Sequence, residues 1–261
     1  MKIALMDSGI GLLAATVAVR RLRPDAELVL SLDPAGMPWG RRTTEDLIER
    51  ALAVAEAAAA HRPDALIVGC NTATVHALTA LRAALEPDLP VIGTVPAIKP
   101  AAAGGGPVAI WATPATTGSV YQRNLIRDFA DGVPVTEVPC CGLAEAVEHA
   151  DQTAIDQAVA AAAALTPADV TTVVLGCTHY ELVADRIRAA VRHPDGPPPA
   201  LHGSAGAVAA QALRRIGARS EPETAAEGGV TVLLNGREGA LPAPALAYAE
   251  GRLLQQVAPA R

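Results

Sequence analysis

Short apolar runs alternate along this chain with longer segments in which apolar residues recur at helical spacing. Such runs are typical of buried parallel strands, and the segments between them are typical of helices that pack on a sheet. Because strand and helix follow one another throughout, we expect right-handed crossovers and parallel sheets. The predicted strands are 2–6, 27–32, 65–68, 91–93, 108–112, 135–138, 173–175 and 230–234, and the predicted helices are 14–22, 44–61, 74–85, 119–129, 143–149, 154–165, 204–216 and 245–254.

A stretch of Lys, Pro, Ala and Gly at 99–107 interrupts this alternation, and the pattern then restarts. We therefore predict an α/β protein of two similar lobes, each a mostly parallel sheet flanked by helices, with the active site in the cleft between them. A lone strand and helix cannot bury themselves, so the tail is expected to pack back on the first lobe. The first lobe would comprise 1–95 plus 206–261 and the second 96–205, with a loop at 193–199.

Composition narrows the class of partner. The chain is 51% hydrophobic and 18% charged, which is typical of a globular protein, and its net charge of −6 is not typical of proteins that bind nucleic acid through lysine and arginine. A small-molecule partner is expected instead. No signal peptide is evident, and no apolar run reaches the roughly 18 residues that a membrane span needs. We therefore expect a cytoplasmic protein with reduced thiols.

Two of the four cysteines occupy the same kind of position. The strand 65–68 leads into Gly69-Cys70-Asn71-Thr72, and the strand 173–175 leads into Gly176-Cys177-Thr178-His179. A single cysteine is more often part of the core than catalytic. The core interpretation weakens here because amide, hydroxyl and imidazole groups beside each thiol would be costly to bury without a partner. Ligands of open α/β sheets bind at these strand ends, whereas Cys140 and Cys141 lack such a setting and are assigned to the core.

Two thiols on opposite lobes could invert a stereocentre. One thiolate takes a proton from carbon while the facing thiol returns one to the opposite side, which needs no metal, pyridoxal phosphate or nucleotide. Asp7, at the end of the first strand, could serve the Cys70 side, and His179 lies two residues from Cys177. His76 is assigned a structural role.

Two cofactor interpretations compete with this one. Gly9, Gly11 and Ala14 fit the dinucleotide-binding pattern, with Glu27 as the ribose acid, but Asp7 at the mouth of the turn would repel a pyrophosphate. We prefer binding of an anionic or zwitterionic small molecule by Ser8 and the neighbouring amides. Cys177, His179 and Cys70 could hold zinc, but the paired ligand spacings of zinc sites are absent, so no metal is predicted.

The motifs identify a family. Over essentially its whole length the chain resembles the glutamate racemases of the aspartate/glutamate racemase superfamily, through the segments 7–11 (DSGIG), 37–40 (MPWG), 70–73 (CNTA), 93–101 (GTVPAIKPA), 113–116 (TPAT) and 176–180 (GCTHY). The resemblance implies interconversion of L- and D-glutamate without a cofactor, which supplies D-glutamate for peptidoglycan synthesis. It also implies a small amino-acid substrate. Charge and hydropathy predict no nucleic-acid or membrane partner, and a homodimer is kept as a further expectation.

The resemblance also implies residue roles. Cys70 would deprotonate D-glutamate and Cys177 L-glutamate, with Asp7 and His179 assisting the thiols and Glu148 as a further acid near the second thiol. The implied substrate-binding residues are Asp7, Ser8, Trp39, Gly40, Asn71, Thr72, Thr116, Thr178 and His179.

Four positions depart from the family pattern. Leu12 replaces a usual Gly, Trp39 a usual Tyr and Glu181 a usual Pro, and the late Asp-Ser pair is replaced by Gly203-Ser204. Trp39 keeps a backbone N–H for the distal carboxylate but changes the pocket volume. Two alternatives therefore stay open: a racemase of another acid such as aspartate or an amino-acid derivative, and a non-catalytic ligand-binding paralogue.

Overall fold

The computed structural model describes residues 1–192 and 196–255. The chain divides into two compact units, one formed by Met1–Val95 with the chain from Ala205 onwards, the other by Pro96–Ser204. Of the loop expected at 193–199, residues 193–195 lie outside the described part. Within that part, no helix has the length and apolar character to span a membrane.

The strands of the described residues form two sheets. Their bounds are β1 (Lys2–Asp7), β2 (Glu27–Leu32), β3 (Ala65–Val68), β4 (Val91–Gly93), β5 (Val108–Ala112), β6 (Val135–Pro139), β7 (Thr172–Leu175), β8 (Ala200–His202), β9 (Val230–Leu234) and β10 (Arg237–Gly239). The first sheet has the order β10-β9-β2-β1-β3-β4 and the second the order β6-β5-β7-β8. All pairs are parallel except the β9–β10 hairpin.

Helices connect the strands. Their bounds are α1 (Leu13–Leu22), α2 (Thr44–Ala59), α3 (Asn71–His76), α4 (Leu78–Leu85), α5 (Ile98–Ala102), α6 (Val120–Phe129), α7 (Leu143–Glu148), α8 (Gln152–Ala164), α9 (Thr178–Glu181), α10 (Ala184–Ala190), α11 (Ala205–Arg215) and α12 (Ala249–Gln255). Polar caps begin three of the longer ones: Thr43, Ser119 and Asp151 each accept a hydrogen bond from a backbone N–H in the first turn. The mixed α/β class with parallel sheets and flanking helices confirms the predicted fold class.

The central strands are apolar because they are covered on both faces. Ile3 to Met6 of β1 and Ala65 to Val68 of β3 are fully buried, as parallel strands between helix layers require. In the second unit Trp111 of β5 is fully buried, and its indole N–H donates to Thr166 Oγ1 at 2.9 Å.

Several elements differ from the predicted ones. No helix is predicted at the boundary stretch 99–107, yet Ile98–Ala102 forms α5, because Ile98 and Ala101 are buried against the second sheet. The predicted helix 74–85 is divided into α3 and α4 at Ala77 and begins three residues earlier, directly after Cys70. Strands β8 and β10 and helices α9 and α10 were not predicted.

Candidate active site

In each unit a cysteine follows a strand at the point where the strand order reverses. From β1 the chain continues to β2 on one side and later to β3 on the other, and β5 has the same relation to β6 and β7. Crossovers leave such a point in opposite directions, so a crevice opens at the carboxyl ends of the two strands, and ligands of open α/β sheets bind there. Cys70 follows β3 and Cys177 follows β7, each after one glycine.

Asp7 and Cys70 leave neighbouring strands at the same sheet edge. Met6 of β1 pairs with Val68 of β3, so the two strands end side by side. Asp7 is fully buried, and its Oδ1 accepts hydrogen bonds from the Ser8 N–H at 2.6 Å and the Ser8 hydroxyl at 3.3 Å. Cys70 is 8% exposed. The structure therefore brings three predicted site residues of the first unit together.

Asn71 is the first residue of α3, and its side chain is 6% exposed. Within residues 1–192 and 196–255, neither its Nδ2 nor its Oδ1 has a hydrogen-bond partner. Leaving a buried amide without partners costs about 1–3 kcal/mol, so such a group in a native structure needs an explanation. A ligand that pairs with the amide beside the Cys70 thiol supplies one. Thr72, the next residue of α3, is half-buried.

Trp39 and Gly40 lie in the loop after β2, in a single 3₁₀ turn formed by Trp39–Arg41. The Trp39 side chain is buried in the hydrophobic cluster that also contains Cys70, Met6 and Val68. Gly40 is exposed. Packing therefore ties this loop to the strand ends that carry Asp7 and Cys70.

The second unit places Cys177, His179 and Glu148 in a row. The Cys177 sulfur lies 3.9 Å from His179 Nδ1, and His179 Nε2 lies 2.9 Å from Glu148 Oε2. The thiol is half-buried, whereas His179 and Glu148 are buried. A carboxylate that accepts from one imidazole nitrogen orients the ring and leaves the other nitrogen to exchange a proton with the thiol. The array is thus suited to proton transfer at sulfur.

Thr116 and Thr178 are both buried. Thr178 lies between Cys177 and His179 in the chain, and Thr116 lies near them through the pairing of the strands. Trp111 of β5 pairs with Leu175 of β7, so the turn after β5, which holds Thr116, leaves the same edge as Cys177. The Thr116 hydroxyl shares a 3.2 Å hydrogen bond with that of Thr113. A Cβ on Gly176 would lie 2.7 Å from the carbonyl oxygen of Trp111, so only glycine allows the strand end to pass so close.

The other two cysteines differ from the first pair. Cys140 is buried, and burial raises the pKa of its thiol far above the usual range, with a smaller contribution from nearby Cys177. Cys141 is exposed rather than part of the core, to which the sequence assigned it together with Cys140. Tyr180 is buried, its hydroxyl donates to the carbonyl of Cys140 at 3.4 Å, and burial raises the pKa of its phenol. In the described part of the chain, no group of three or more His, Cys, Asp or Glu side chains is arranged to hold a metal ion.

Sequence reasoning missed residues that position the site. Thr94 directly follows β4: its hydroxyl donates to the carbonyl of Val68 at 2.7 Å and its N–H to Thr74 Oγ1 at 3.0 Å, which joins β3, α3 and the end of β4. Asp33 accepts hydrogen bonds within the Trp39 loop. Both are polar residues directly after a predicted strand, which is a signal the sequence contains.

Two of the departures from the family pattern touch each other. Glu181 Oε1 accepts from the N–H of Ser204 at 2.8 Å and from its hydroxyl at 2.9 Å. A Cβ on Gly203 would lie 2.3 Å from Glu181 Oε2, so this conformation of Glu181 requires glycine at 203. The two replaced positions are therefore in direct contact.

Comparison with known proteins gives a consistent result. The family model described as Asp/Glu/Hydantoin racemase matches residues 12–213. The chain is 38% identical over 192 residues to a glutamate racemase of Roseiflexus sp. (strain RS-1), covering 72% of this chain and 70% of that protein. It is 35% identical over 226 residues to a glutamate racemase of Pseudomonas entomophila (strain L48), covering 83% of this chain and 82% of that one.

Solved structures agree with the sequence comparisons. The Escherichia coli glutamate racemase in complex with L-glutamate and the activator UDP-MurNAc-Ala has a TM-score of 0.78 at 26% identity, covering 98% of this chain and 94% of that one. The Thermus thermophilus glutamate racemase in complex with β-chloro-D-alanine has a TM-score of 0.68 at 28% identity, covering 100% and 95%.

Proposed function

Because the chain belongs to the Asp/Glu/hydantoin racemase family, we propose that it racemises glutamate through two cysteine thiols, Cys70 and Cys177, without a cofactor. Similarity to glutamate racemases in sequence and in structure supports the activity. The L-glutamate bound to the Escherichia coli enzyme supports glutamate as the substrate. By the same resemblance the product D-glutamate serves peptidoglycan synthesis in the cytoplasm.

One observation carries the two-thiol mechanism: the third strand of each unit, counted along the chain, lies at the switch point of its sheet and ends in Gly-Cys. Two sites of equal construction match a reaction in which the same step occurs from two opposite sides. The Cys177–His179–Glu148 row supplies a route for protons on one side, and buried Asp7 lies beside the other thiol's strand.

The proposed step balances without an added reagent. A Cys177 thiolate takes the α-proton of L-glutamate, so that a C–H bond breaks, an S–H bond forms and the electron pair remains on carbon. The Cys70 thiol then gives its proton to the opposite side of that carbon, which yields D-glutamate and a Cys70 thiolate. The reverse reaction exchanges the roles, and the proposal requires both thiols to face one α-carbon.

Polar groups beside the thiols would supply most of the stabilisation. General acid–base catalysis gives about 10²- to 10⁴-fold, so dipoles fixed around the developing carbanion must contribute much of the remainder. We assign the α-amino and α-carboxylate groups to Ser8, Asn71, Thr72, Thr116 and Thr178, and the distal carboxylate to the backbone of Trp39–Gly40. The Asn71 amide, which has no hydrogen-bond partner among the described residues, favours this assignment, because a bound substrate would satisfy it.

Circular dichroism of L- or D-glutamate incubated with the purified protein tests the proposal. Cys70→Ser and Cys177→Ser are each expected to lower kcat/KM by about 10²- to 10⁴-fold, the contribution of a general base. The loss should be equal in both directions, because the equilibrium constant between enantiomers is one. Cys141→Ser is the matched control, since that thiol is exposed, and should retain wild-type rates. Near-wild-type racemisation by Cys177→Ser would refute the assignment.

The same assay separates the remaining alternatives. Trp39 replaces the Tyr that is usual in the family and so changes the pocket volume. Aspartate and hydantoins therefore belong in the substrate panel. Faster racemisation of aspartate than of glutamate would assign the protein to that substrate. Binding of glutamate without any racemisation would identify a non-catalytic paralogue.

A further inference from the structure

We propose that Asp33 is a positioning residue, which holds the Trp39–Gly40 segment in place for the distal carboxylate of the substrate through a hydrogen bond from the Trp39 indole. The inference rests on the proposed function, which assigns that carboxylate to this segment. It adds a side chain that touches no substrate and acts through the loop.

Asp33 begins the loop at the sheet edge that carries the candidate site. It directly follows β2, whose last residue Leu32 pairs with Asp7 of β1. The backbone N–H of Asp33 donates to the carbonyl of Asp7 at 3.2 Å. The start of the loop at Asp33 is therefore fixed relative to the strand end beside the Cys70 thiol.

The Asp33 carboxylate gathers the loop around itself. It is 5% exposed; Oδ2 accepts from Trp39 Nε1 at 2.9 Å and Oδ1 from the Gly36 N–H at 3.0 Å. Arg50 Nη1 of α2 lies 3.3 Å from Oδ2, which sets a positive charge against the buried carboxylate. A Cβ on Gly36 would lie 1.8 Å from Oδ2, so the loop comes as close to the carboxylate as a backbone can.

Helix α2 anchors the loop at both ends. Arg50 contacts Asp33 at the start of the loop and donates to Asp46 Oδ1 at 3.1 Å. Arg42, just beyond Gly40, donates to Asp46 Oδ2 at 2.6 Å and also to the carbonyl of Gly36. The loop on both sides of the Trp39–Gly40 segment is thus tied to Asp46 of α2 through two arginines.

The indole hydrogen bond adds what packing alone does not. Trp39 and Cys70 belong to one hydrophobic cluster, and a ring of similar size would fill the same space. The bond from Nε1 to Asp33 fixes the rotation of the ring and with it the backbone at Gly40, which is exposed. Losing this bond should weaken the binding of the substrate and of the transition state equally, which raises KM and leaves kcat unchanged.

Two variants test the inference. Trp39→Phe keeps an aromatic ring and removes the donor. Asp33→Asn keeps the side-chain shape and removes the charge, which matters because Asp33 lines a cavity of about 160 Å³ that an alanine would enlarge. The matched control is Asp25→Asn, which removes another carboxylate that accepts from an arginine, Arg23, at 2.6 Å and 2.8 Å.

Steady-state kinetics and indole NMR are measured on the same proteins. Both variants are expected to raise KM for glutamate roughly tenfold, the equivalent of one hydrogen bond to a charged group, with kcat within about threefold. The chain has two tryptophans, so Trp39→Phe assigns the Trp39 indole signal in the ¹⁵N–¹H spectrum. Asp33→Asn should move that signal upfield and leave the Trp111 signal unchanged.

Three results would overturn the inference. They are an unchanged KM in both variants, a kcat loss at constant KM, and an equal rise in KM for Asp25→Asn. A Trp39 signal that Asp33→Asn does not move would refute a hydrogen bond from the indole to a charged carboxylate, because the neutral amide oxygen is the weaker acceptor. If the wild-type protein does not racemise glutamate, the proposed function fails first and this inference with it, whereas an active wild type with unaffected variants defeats only the inference.

Discussion

Both partners of the hydrogen bond between Glu148 and His179 are buried, so the charge on these two groups matters to the neighbouring thiol. A negative carboxylate at 2.9 Å stabilises the imidazolium form of His179, which would form if the ring takes a proton from Cys177. We therefore propose that Glu148 supports the imidazole by its charge as well as by orienting the ring.

Glu148→Gln separates the two contributions. Glutamine keeps an oxygen that accepts from the imidazole but removes the charge, so we expect kcat/KM to fall by about 10- to 100-fold, less than the loss of a general base itself. Asp156→Asn, which removes an exposed carboxylate from the same unit, is the control. An activity within twofold of wild type would show that the charge on Glu148 is not used.

The sequence pointed to single residues only where neighbours in the chain carried the signal. His179 is two positions from Cys177 and is visible from spacing, whereas Glu148 is implied only by the resemblance. The lack of a partner for the Asn71 amide within the described part of the chain is a property of packing and has no sequence signature. The exposure of Cys141 was also missed, because it lies in a turn, where burial of one residue does not determine burial of the next.

Among the elements, the short helices that start at the thiols were the hardest to predict. Helices α3 and α9 begin directly after Cys70 and Cys177, and neither cysteine side chain caps the helix. Without a capping residue the sequence gives no start signal, and tertiary packing decides the boundary. Helix α5 forms despite Pro100 because its apolar residues are buried.

The contact between Glu181 and the Gly203–Ser204 pair makes an element-scale prediction. Glu181, the last residue of α9, holds Ser204 immediately before α11. Glu181→Ala should lower the free energy of unfolding by about 1–3 kcal/mol, because the buried Ser204 hydroxyl and N–H lose their acceptor, whereas Glu181→Gln should lower it less. Urea unfolding with the midpoint and slope fitted separately measures both.

Gly203→Ala tests whether positions 181 and 203 are energetically coupled. In the wild-type background its Cβ meets Glu181 and should destabilise the fold, while in the Glu181→Ala background the same change should cost little. Such a difference is the interaction energy of a double-mutant cycle. Additive costs would show that the two residues act independently.

At the scale of the whole molecule, the alternation of strands and helices was sufficient to predict the α/β class. The order β2-β1-β3-β4 in one sheet and β6-β5-β7-β8 in the other shows that the units share one topology. The order itself could not be predicted from the sequence, because periodicity reports burial and not which strands pair. The hairpin strand β10 was missed because all its residues are exposed and carry no apolar pattern.

The two-thiol account depends on this shared topology, because one cysteine follows the equivalent strand in each unit. Its most direct test is mass spectrometry of glutamate recovered early in the reaction in heavy water. The account predicts that the newly formed enantiomer carries deuterium at Cα while the remaining substrate keeps protium, in both directions, because the thiol that donates has exchanged with solvent and the thiol that abstracts returns the original proton. Equal labelling of substrate and product would indicate a single base, and an absence of label in the product would contradict proton transfer through exchanging thiols.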